Sequence, residues 1–167
     1  MKVFVDGDDF AEVLEERQPQ LAVIGAPQKT RENVARWLAR YAEYQDCDVE
    51  LVYENQPSDE VLPPVEKHGR VRMKNLTAGE ECLHEIAGSA NRAAENDRVY
   101  VVTEDPRLAE AVDAGNARVY SPEKFASRAE RVMGEEQKER FAEPDEKYSG
   151  VSDEQVDFWV EFFDEKD

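Results

Sequence analysis

The feature that most constrains the fold is the regular alternation of short apolar segments with longer amphipathic ones. Five segments have the length and the β-branched composition of strands, and the stretches between them space their apolar residues like helices. Strands that alternate with helices pair in parallel through right-handed crossovers, with helices on both faces of the sheet. The sequence therefore predicts an α/β fold with a mainly parallel sheet. The predicted strands are KVFV, DVELVYE, RVRMK, RVYVVT and ARVY.

Capping and turn residues predict where the helices begin. The four helices predicted within residues 1–133 start at Thr30, Thr77, Asp105 and Ser121. Thr77 opens the capping-box pattern T-A-G-E, and Pro106 follows Asp105 at the first helical position, where proline is favoured. The last core helix is expected to run through about Met133. Residues 7–29 are rich in charge and turn residues and are predicted to form a long connection, a kind of segment that is usually functional.

Composition narrows the class of protein. The length of 167 residues suits one domain with a short appendage. No stretch approaches the roughly 20 apolar residues of a membrane span, so no membrane association is expected. The two cysteines, Cys47 and Cys82, lack the spacing of a redox or zinc motif and are interpreted as reduced. These features predict a soluble, cytoplasmic protein.

The net charge of −18 bears on the choice of partner. Phosphate contacts need Lys and Arg, and an acidic protein repels polyanions at low salt. The repulsion depends on ionic strength, since the Debye length falls to about 3 Å at 1 M salt. The composition is compatible with a salt-adapted host, in which RNA would be an accessible substrate.

The C-terminal fifth of the chain differs from the rest. We predict a core domain over residues 1–133 and, over residues 134–167, an acidic linker that ends in an amphipathic helix. Val156, Trp159, Val160 and Phe163 share one face of that helix. Such a face is expected to dock on the protein's own core, and a protein partner is the alternative.

Carboxylates gather where the predicted strands end. Asp6, Asp8 and Asp9 follow the first strand within four positions, Glu54 follows the second, and Asp105 follows the fourth. In open parallel sheets functional groups lie at the carboxyl ends of the strands. Carboxylates packed this closely raise one another's pKa unless a cation or hydrogen-bond donors offset the repulsion. The pattern therefore predicts a site that takes a cation.

The type of ligand indicates the type of ion. Carboxylates without histidine or cysteine favour Mg²⁺ or Mn²⁺, which suit phosphoryl transfer. Structural roles compete with this interpretation, because Asp105 is explained as a helix cap and Glu80 as the capping-box partner of Thr77. At this point the candidate ligands are all the acids at the strand ends together with two acids that could enter from the side: Asp6, Asp8, Asp9, Glu54, Glu104, Asp105, Glu80 and Glu81.

One predicted strand carries a row of basic residues. Arg70, Arg72 and Lys74 alternate with Val71 and Met73, which places the three cations on one face. They are candidates for contact with an RNA phosphate backbone. Protection of an edge strand against pairing with another sheet is the competing explanation.

Short motifs along the core resemble a known family. The first strand ends V-D-G-D-D where the family has V-D-G-Y-N, and a helix ending in AEYQ precedes Y-E-N in place of F-D-A. T-A-G stands for T-A-D, V-T-E-D for V-T-S-D, and S-P-E-K-F for S-A-R-E-L. From Lys2 to about Arg131 the sequence resembles the YacP-like NYN domains of the PIN-like ribonuclease group.

The resemblance implies a fold, an activity and a set of residues. The fold would be a PIN-like, Rossmann-like three-layer sandwich with strand order 3-2-1-4-5. The activity would be metal-dependent cleavage of RNA, with possible association with the ribosome. Asp6 and Asp105 match acidic positions of the family, whereas Gly79 stands where the family has Asp. The resemblance implies a catalytic set of Asp6, Asp9, Asp105 and Glu80. The metal ligands would be Asp6, Asp9, Asp105 and Glu54, which stands at a further Asp position of the family, with Glu80 or Glu81 replacing the missing carboxylate.

Two other functions remain open from the sequence. The first is a catalytically weakened domain that binds RNA, the ribosome or a protein, because Gly79 removes a carboxylate. The second is a phosphatase similar to the haloacid dehalogenases, since Asp6 and Asp8 form a D-x-D motif and Thr103 ends a later strand. Phe10 departs from that motif.

Overall fold

The structure is a computed structural model, and it describes residues 1–54, 61–112 and 117–141. The chain divides into two compact units, Met1–Gln137 and Lys138–Asp167. A short 3-10 helix, Pro19–Leu21, lies between the first two helices. The other elements are β1 (Lys2–Asp6), α1 (Gly7–Arg17), α2 (Pro27–Tyr44), β2 (Asp48–Tyr53), β3 (Val65–His68), β4 (Val71–Asn75), α3 (Cys82–Ala94), β5 (Val99–Val102), α4 (Pro106–Ala111), β6 (Ala117–Tyr120) and α5 (Pro122–Phe141).

The sheet confirms the predicted α/β architecture and adds one strand. Its order is β3-β4-β2-β1-β5-β6, and the five predicted strands occur in the expected order and in parallel. The additional strand, β3, pairs antiparallel with β4 at the edge of the sheet. None of the five predicted strands covers residues 65–68, which pair with β4 directly after Pro63 and Pro64.

Helices cover both faces of the sheet. On one face, α3 and α4 contribute Ile86, Ala90 and Leu108 to a core with Phe4 and Val101. On the other face, α1, α2 and α5 meet through contacts among Phe10, Trp37, Tyr41 and Phe125. The central strand β1 is therefore buried from both sides, and Val5 at its centre has no exposed surface.

The segment predicted as a long connection begins with a helix. Asp6 is the N-cap of α1, and its Oδ1 accepts a hydrogen bond from the Asp9 N–H at 3.5 Å. Phe10 and Leu14 are both fully buried one helical turn apart. The prediction of a connection over residues 7–29 is thus wrong, because the acids were interpreted only as ligands and not also as a helix start.

Two predicted helix starts are displaced. α2 begins at Pro27 rather than Thr30, and α3 begins at Cys82 rather than Thr77. Thr77 and Glu80 form a separate turn, in which Glu80 Oε2 accepts hydrogen bonds at 2.7 Å from both the N–H and the hydroxyl of Thr77. Gly79 has φ +94° in this turn, a conformation that favours glycine.

Two further predictions concern the end of the chain and membranes. α5 continues to Phe141, beyond the predicted domain boundary at 133, while the amphipathic helix predicted over 151–163 lies outside the described residues. Its docking on the core or on a partner stays a prediction. Within the described residues, no helix has the length and apolar character needed to cross a membrane.

Candidate active site

Three strand ends converge at the carboxyl edge of the sheet. β1 lies between β2 and β5, so Asp6 at the end of β1 is flanked by the residues that follow those two strands. Glu54 follows β2 and Thr103 follows β5. Parallel pairing thus assembles a site from segments about 50 residues apart in sequence, at the edge where open sheets bind ligands.

Asp6 and Asp9 meet at the hydroxyl of Thr103. Thr103 Oγ1 lies 3.5 Å from Asp6 Oδ2 and 3.2 Å from Asp9 Oδ2, and it accepts a hydrogen bond from the Asp105 N–H at 3.0 Å. Asp9 Oδ2 also accepts from the Glu104 N–H at 2.9 Å. A hydroxyl has one proton, so Thr103 can donate to only one of the two carboxylates at a time. The buried threonine links the ends of β1 and β5.

Asp6 is the most electrostatically perturbed acid of the site. It is 8% exposed, and burial raises its pKa from 3.8 to about 7, with the charge of Asp9 and then of Asp8 adding to the increase. The N–H groups of Asp9 and Asp8 oppose that increase without cancelling it. A carboxylate of this kind is stabilised in its charged form by a nearby cation.

A buried cysteine, Cys82, lies near Asp6. Its thiol is buried, donates a hydrogen bond to the carbonyl oxygen of Val52 at 3.7 Å, and lies close enough to Asp6 for the charge of that carboxylate to act on it. Burial, followed by the charges of Asp6, Asp8 and Glu54, raises the pKa of Cys82, so the thiol is neutral. The sequence analysis assigned this residue no role in the site, since its spacing matches no motif.

Asp8 points to the other side of the cluster. Its Oδ2 accepts a hydrogen bond from the Glu54 N–H at 2.9 Å, and its Oδ1 lies 4.0 Å from Nη2 of Arg31. Arg31 comes from α2, stacks 4.3 Å above the ring centroid of Tyr53 and donates to Asn75 Oδ1 at 3.0 Å. A buried guanidinium therefore lies beside the acidic cluster, and the sequence analysis did not identify it.

The glycine in the acidic motif has a packing reason. A Cβ at Gly7 would lie 2.8 Å from two ring carbons of Tyr53 and 2.8 Å from the carbonyl oxygen of Val52. Only a residue without a side chain lets α1 begin directly after β1 at this distance from β2. Gly7 thereby sets the positions of Asp8 and Asp9.

Glu54 and Asp105 each act as a helix cap. Glu54 Oε2 accepts the N–H of Cys82 at 3.0 Å, which caps α3. Asp105 caps α4 by accepting the N–H of Arg107 at 2.9 Å. The Arg107 guanidinium also donates to both Asp105 oxygens, at 3.2 and 3.0 Å, and these bonds lower the pKa of Asp105. The predicted capping role of Asp105 is confirmed.

The remaining predicted site residues lie outside the Asp6–Asp9 pair. Glu80 bonds to Thr77, and Glu81 pairs with His84 at 3.2 Å on the surface. Glu81 and Glu54 are close enough for their charges to act on Arg107. Among residues 1–54, 61–112 and 117–141, no group of three or more His, Cys, Asp or Glu side chains is placed to hold a metal ion. The ligand assignments of these residues stay predictions.

The donor set of the pair nevertheless fits a hard divalent cation. Asp6 and Asp9 present carboxylate oxygens to the same hydroxyl, and Asp6 has a raised pKa that a cation would relieve. Mg²⁺ is usually held by one or two carboxylates and completes its coordination with water. The pair therefore supplies the number and chemistry of protein ligands that such an ion requires.

A cleft of about 540 Å³ opens beside this cluster. It extends from Asp8 past Arg31 and Tyr53 to Ile24, whose side chain is fully exposed. The hydroxyl of Tyr53 is buried and has no hydrogen-bond partner in the part of the chain that the structure describes. The cleft combines a guanidinium, an aromatic ring and an aliphatic surface next to the carboxylates.

Comparison with known proteins identifies what the chain is similar to. The model of the YacP-like NYN domain family matches residues 5–161. The fold is similar to a crystal structure of a tryptophan-to-leucine mutant of Rae1 (YacP) from Bacillus subtilis, with a TM-score of 0.66 and 16% identity over 89% of this chain and 87% of that one. A second crystal structure of Rae1 (YacP) from Bacillus subtilis is similar with a TM-score of 0.64 and 16% identity, over 99% of this chain and 89% of that one. No curated protein matches the sequence significantly.

Proposed function

The chain belongs to the YacP-like NYN domain family, and from this premise we propose that it is a metal-dependent endoribonuclease that cleaves RNA phosphodiester bonds. Membership in this family of the PIN-like nuclease group supports a ribonuclease-type function. The observation that carries the proposal further is the convergence of Asp6 and Asp9 on the buried Thr103 hydroxyl. Asp6 is buried beside the half-buried Asp9 and has a pKa of about 7, and strongly perturbed groups of this kind cluster at functional sites.

In the proposed site Asp6 and Asp9 hold the ion, either Mg²⁺ or Mn²⁺. When bound, the ion supplies positive charge that stabilises the phosphate as the RNA is cleaved. Thr103 keeps the two carboxylates together, and the Glu104 N–H fixes the orientation of Asp9. The buried thiol of Cys82 stays neutral and adds no further negative charge next to Asp6.

Three further acids are proposed as contributors to the same site. Asp105 would complete the ligand set if the Arg107 guanidinium released one of the two Asp105 carboxylate oxygens. Glu81 and Glu80 are the candidates to replace the carboxylate absent at Gly79. Glu81 is better placed, because its charge acts on Arg107 whereas Glu80 has two hydrogen bonds to Thr77.

The cleft beside Asp8 is the proposed path of the RNA near the cleaved bond. Arg31 lines this cleft and can attract a phosphate there. The exposed side chain of Ile24 offers an apolar surface to a base or ribose. None of these contacts reads a base edge, so we expect weak sequence preference from this part of the site.

A second candidate function is a catalytically weakened domain that binds RNA without cleaving it. The observation that favours it is the bidentate pairing of Asp105 with Arg107, which occupies both oxygens of a proposed ligand. This alternative shares the fold and the RNA partner with the main proposal. It differs in predicting no metal-dependent cleavage.

A cleavage assay with labelled single-stranded RNA separates the two. Wild-type protein should cleave the RNA when Mg²⁺ or Mn²⁺ is present and not in EDTA. Asp9→Asn should lower the rate by about 100-fold or more, because it removes charge worth several kcal/mol in the transition state. Asp97→Asn removes a carboxylate from the opposite edge of the sheet and should cleave like the wild type.

The possible outcomes decide the proposal. If Asp97→Asn lowered the cleavage rate as much as Asp9→Asn, the effect would come from the change in net charge rather than from the site. Absence of cleavage in every metal would favour the binding domain. Turnover of small phosphomonoesters without RNA cleavage would favour the phosphatase that the D-x-D motif allows.

A further inference from the structure

A second cleft lies at the amino ends of the parallel strands, whereas the carboxylates lie at their carboxyl ends. It has a volume of about 590 Å³ and lies where the β3–β4 hairpin meets α3. Five basic side chains line it with only two acidic ones, in a chain whose net charge is −18. The basic residues are Lys2, Lys67, Arg70, Arg72 and Arg92. Positive charge is thus concentrated at one place on a strongly acidic protein.

The sheet topology explains why these side chains are exposed. Strand β4 alternates, so Val71 and Met73 are buried, whereas Arg72 points to the face that α3 covers. Helix α3 packs mainly over β1, β5 and β2, and the side chains of Lys67 and Arg72 are left exposed. The hairpin therefore forms one wall of the cleft, and Arg92 of α3 lines the other.

Two of the basic residues face each other across the hairpin. Lys67 and Arg72 are direct partners in the antiparallel ladder, where like charges are destabilising. Neither side chain has an ion pair or hydrogen bond within the described parts of the chain. An anion bound between them would offset their repulsion.

The neighbouring cations differ in how far their charge is already neutralised. Lys74 is largely buried between Glu50, at 2.7 Å, and Glu85, so it is not available to a partner. Arg70 pairs with Asp46 at 2.8 Å, but its side chain is 42% exposed in the hairpin turn. Of the predicted RNA-binding residues Arg70, Arg72 and Lys74, only Arg70 and Arg72 are therefore kept as candidates. Because β4 lies inside the sheet, the interpretation of this row as edge protection is wrong.

We propose that Lys67, Arg70, Arg72 and Arg92 form a binding surface for the phosphate backbone of RNA, here called the hairpin surface. The inference rests on the proposed function and extends it to how the substrate is held. Arginine guanidinium groups bind phosphate through paired hydrogen bonds, and the surface has three of them. Phosphate contacts position an RNA without reading its sequence.

The geometry allows one RNA to contact both the hairpin surface and the carboxylates at the other end of the strands. Arg72 is in register with Glu50 and Phe4, so its Cα lies two strands across and two residues along from that of Asp6, which corresponds to about 12 Å. An RNA strand of several nucleotides spans that distance. The hairpin surface would therefore supply affinity that the acidic active site, which repels phosphate without a cation, does not supply.

Binding measured by fluorescence anisotropy tests this inference on the full chain. The probe is a labelled single-stranded RNA oligonucleotide in EDTA, so that cleavage does not interfere. Lys67→Gln/Arg72→Gln should weaken binding by about tenfold or more at 50 mM salt and reduce the slope of log K against log salt by about 1.4, or 0.7 per lost phosphate contact. Arg92→Gln, on the other wall, should weaken binding independently.

A charge-matched control distinguishes the surface from the overall field. Lys29→Gln/Arg36→Gln removes two exposed charges from α2 and should change the affinity by less than threefold. Equal weakening by both double variants, or no weakening by the hairpin variant, would overturn the inference. The hairpin variant should melt no lower than wild type, since it removes a like-charge pair.

Failure of this inference and failure of the proposed function give different results. RNA cleavage by wild type together with equal binding by both double variants overturns the hairpin surface alone. Hairpin-dependent binding without cleavage in any metal supports the surface and overturns the proposed activity. An RNA that does not bind to wild type at all overturns the inference directly.

Discussion

At the scale of single residues, Asp6 has two roles that oppose each other energetically. As the N-cap of α1 it accepts the Asp9 N–H, and as a buried carboxylate beside Asp9 it is destabilised when charged. The change of its pKa from 3.8 to about 7 corresponds to roughly 4 kcal/mol. The residue is therefore maintained at a cost that a bound cation would remove.

The raised pKa of Asp6 predicts a pH dependence of stability. The folded state binds the proton more tightly than the unfolded state, so this contribution is fully present below about pH 4 and is lost as pH rises to about 7. In EDTA, wild type should lose stability relative to Asp6→Asn across this range. Urea unfolding of both proteins at several pH values measures the difference, and parallel profiles would contradict the assigned burial of the charge.

How well single site residues could be predicted depended on where their partners lie. Asp6 and Asp9 were identifiable because three acids after a strand have no adequate structural explanation. Thr103 and Cys82 were not assigned to the site, since their roles arise from contacts with Asp6 that span 97 and 76 residues of sequence. Threonine is not a usual metal ligand, and the spacing of Cys82 matches no metal motif.

At the scale of elements, α3 depends on a cap from another part of the chain. Glu54, at the end of β2, accepts the N–H of Cys82, whereas the N-cap residue Glu81 makes no side-chain capping bond. Helix α3 in turn covers the face of β1 that carries Asp6. The contact between Glu54 and the Cys82 N–H thus fixes both the start of α3 and the position of Cys82 near Asp6.

A pair of substitutions at Glu54 separates capping from metal binding. Glu54→Ala should lower the free energy of unfolding in EDTA by about 1 kcal/mol, the usual cost of a lost cap, while Glu54→Gln keeps an acceptor and should lose less. If Glu54 is also a ligand, Glu54→Gln should weaken stabilisation by Mn²⁺. Chemical denaturation with and without the metal measures both effects. Equal destabilisation of both variants in EDTA would contradict the capping role.

The sequence predicted the elements with strong periodicity and missed those defined by their neighbours. The five parallel strands and their order follow from apolar composition and from the family resemblance. β3 was missed because VEKH has little apolar character and is a strand only through pairing with β4. The start of α3 was misplaced because Thr77 and Glu80 make capping-box hydrogen bonds in a turn that Gly79 separates from the helix.

At the scale of the whole molecule, charge is the dominant property. The net charge is −18, and the hairpin surface is a positive region against that background. Self-repulsion of this size destabilises a compact state and weakens as salt screens it. Stability should therefore rise with salt. Direct contacts of the hairpin surface with phosphate should weaken with salt, whereas the long-range repulsion between the acidic protein and RNA is screened by it.

Stability should rise with the concentration of KCl near pH 7. Raising salt from about 0.1 to 1 M shortens the Debye length from about 10 to 3 Å and should raise the melting temperature. Near the calculated isoelectric point of 4.5, where the net charge is close to zero, the same change in salt should have little effect. Thermal melts at both pH values provide the measurement. An equal rise at both would attribute the effect to general salting-out instead.

The claim on which the account depends is that Asp6 and Asp9 hold a divalent cation. Melting temperature as a function of Mn²⁺ concentration tests it most directly, because an ion that binds only the folded state stabilises that state. At a metal concentration of about 100 times Kd, wild type should gain about 2.7 kcal/mol, or about 5 °C or more. Asp97→Asn should gain as much and Asp9→Asn almost nothing. An unchanged wild-type melting temperature at millimolar Mn²⁺, or an equal gain in Asp9→Asn, would contradict the claim.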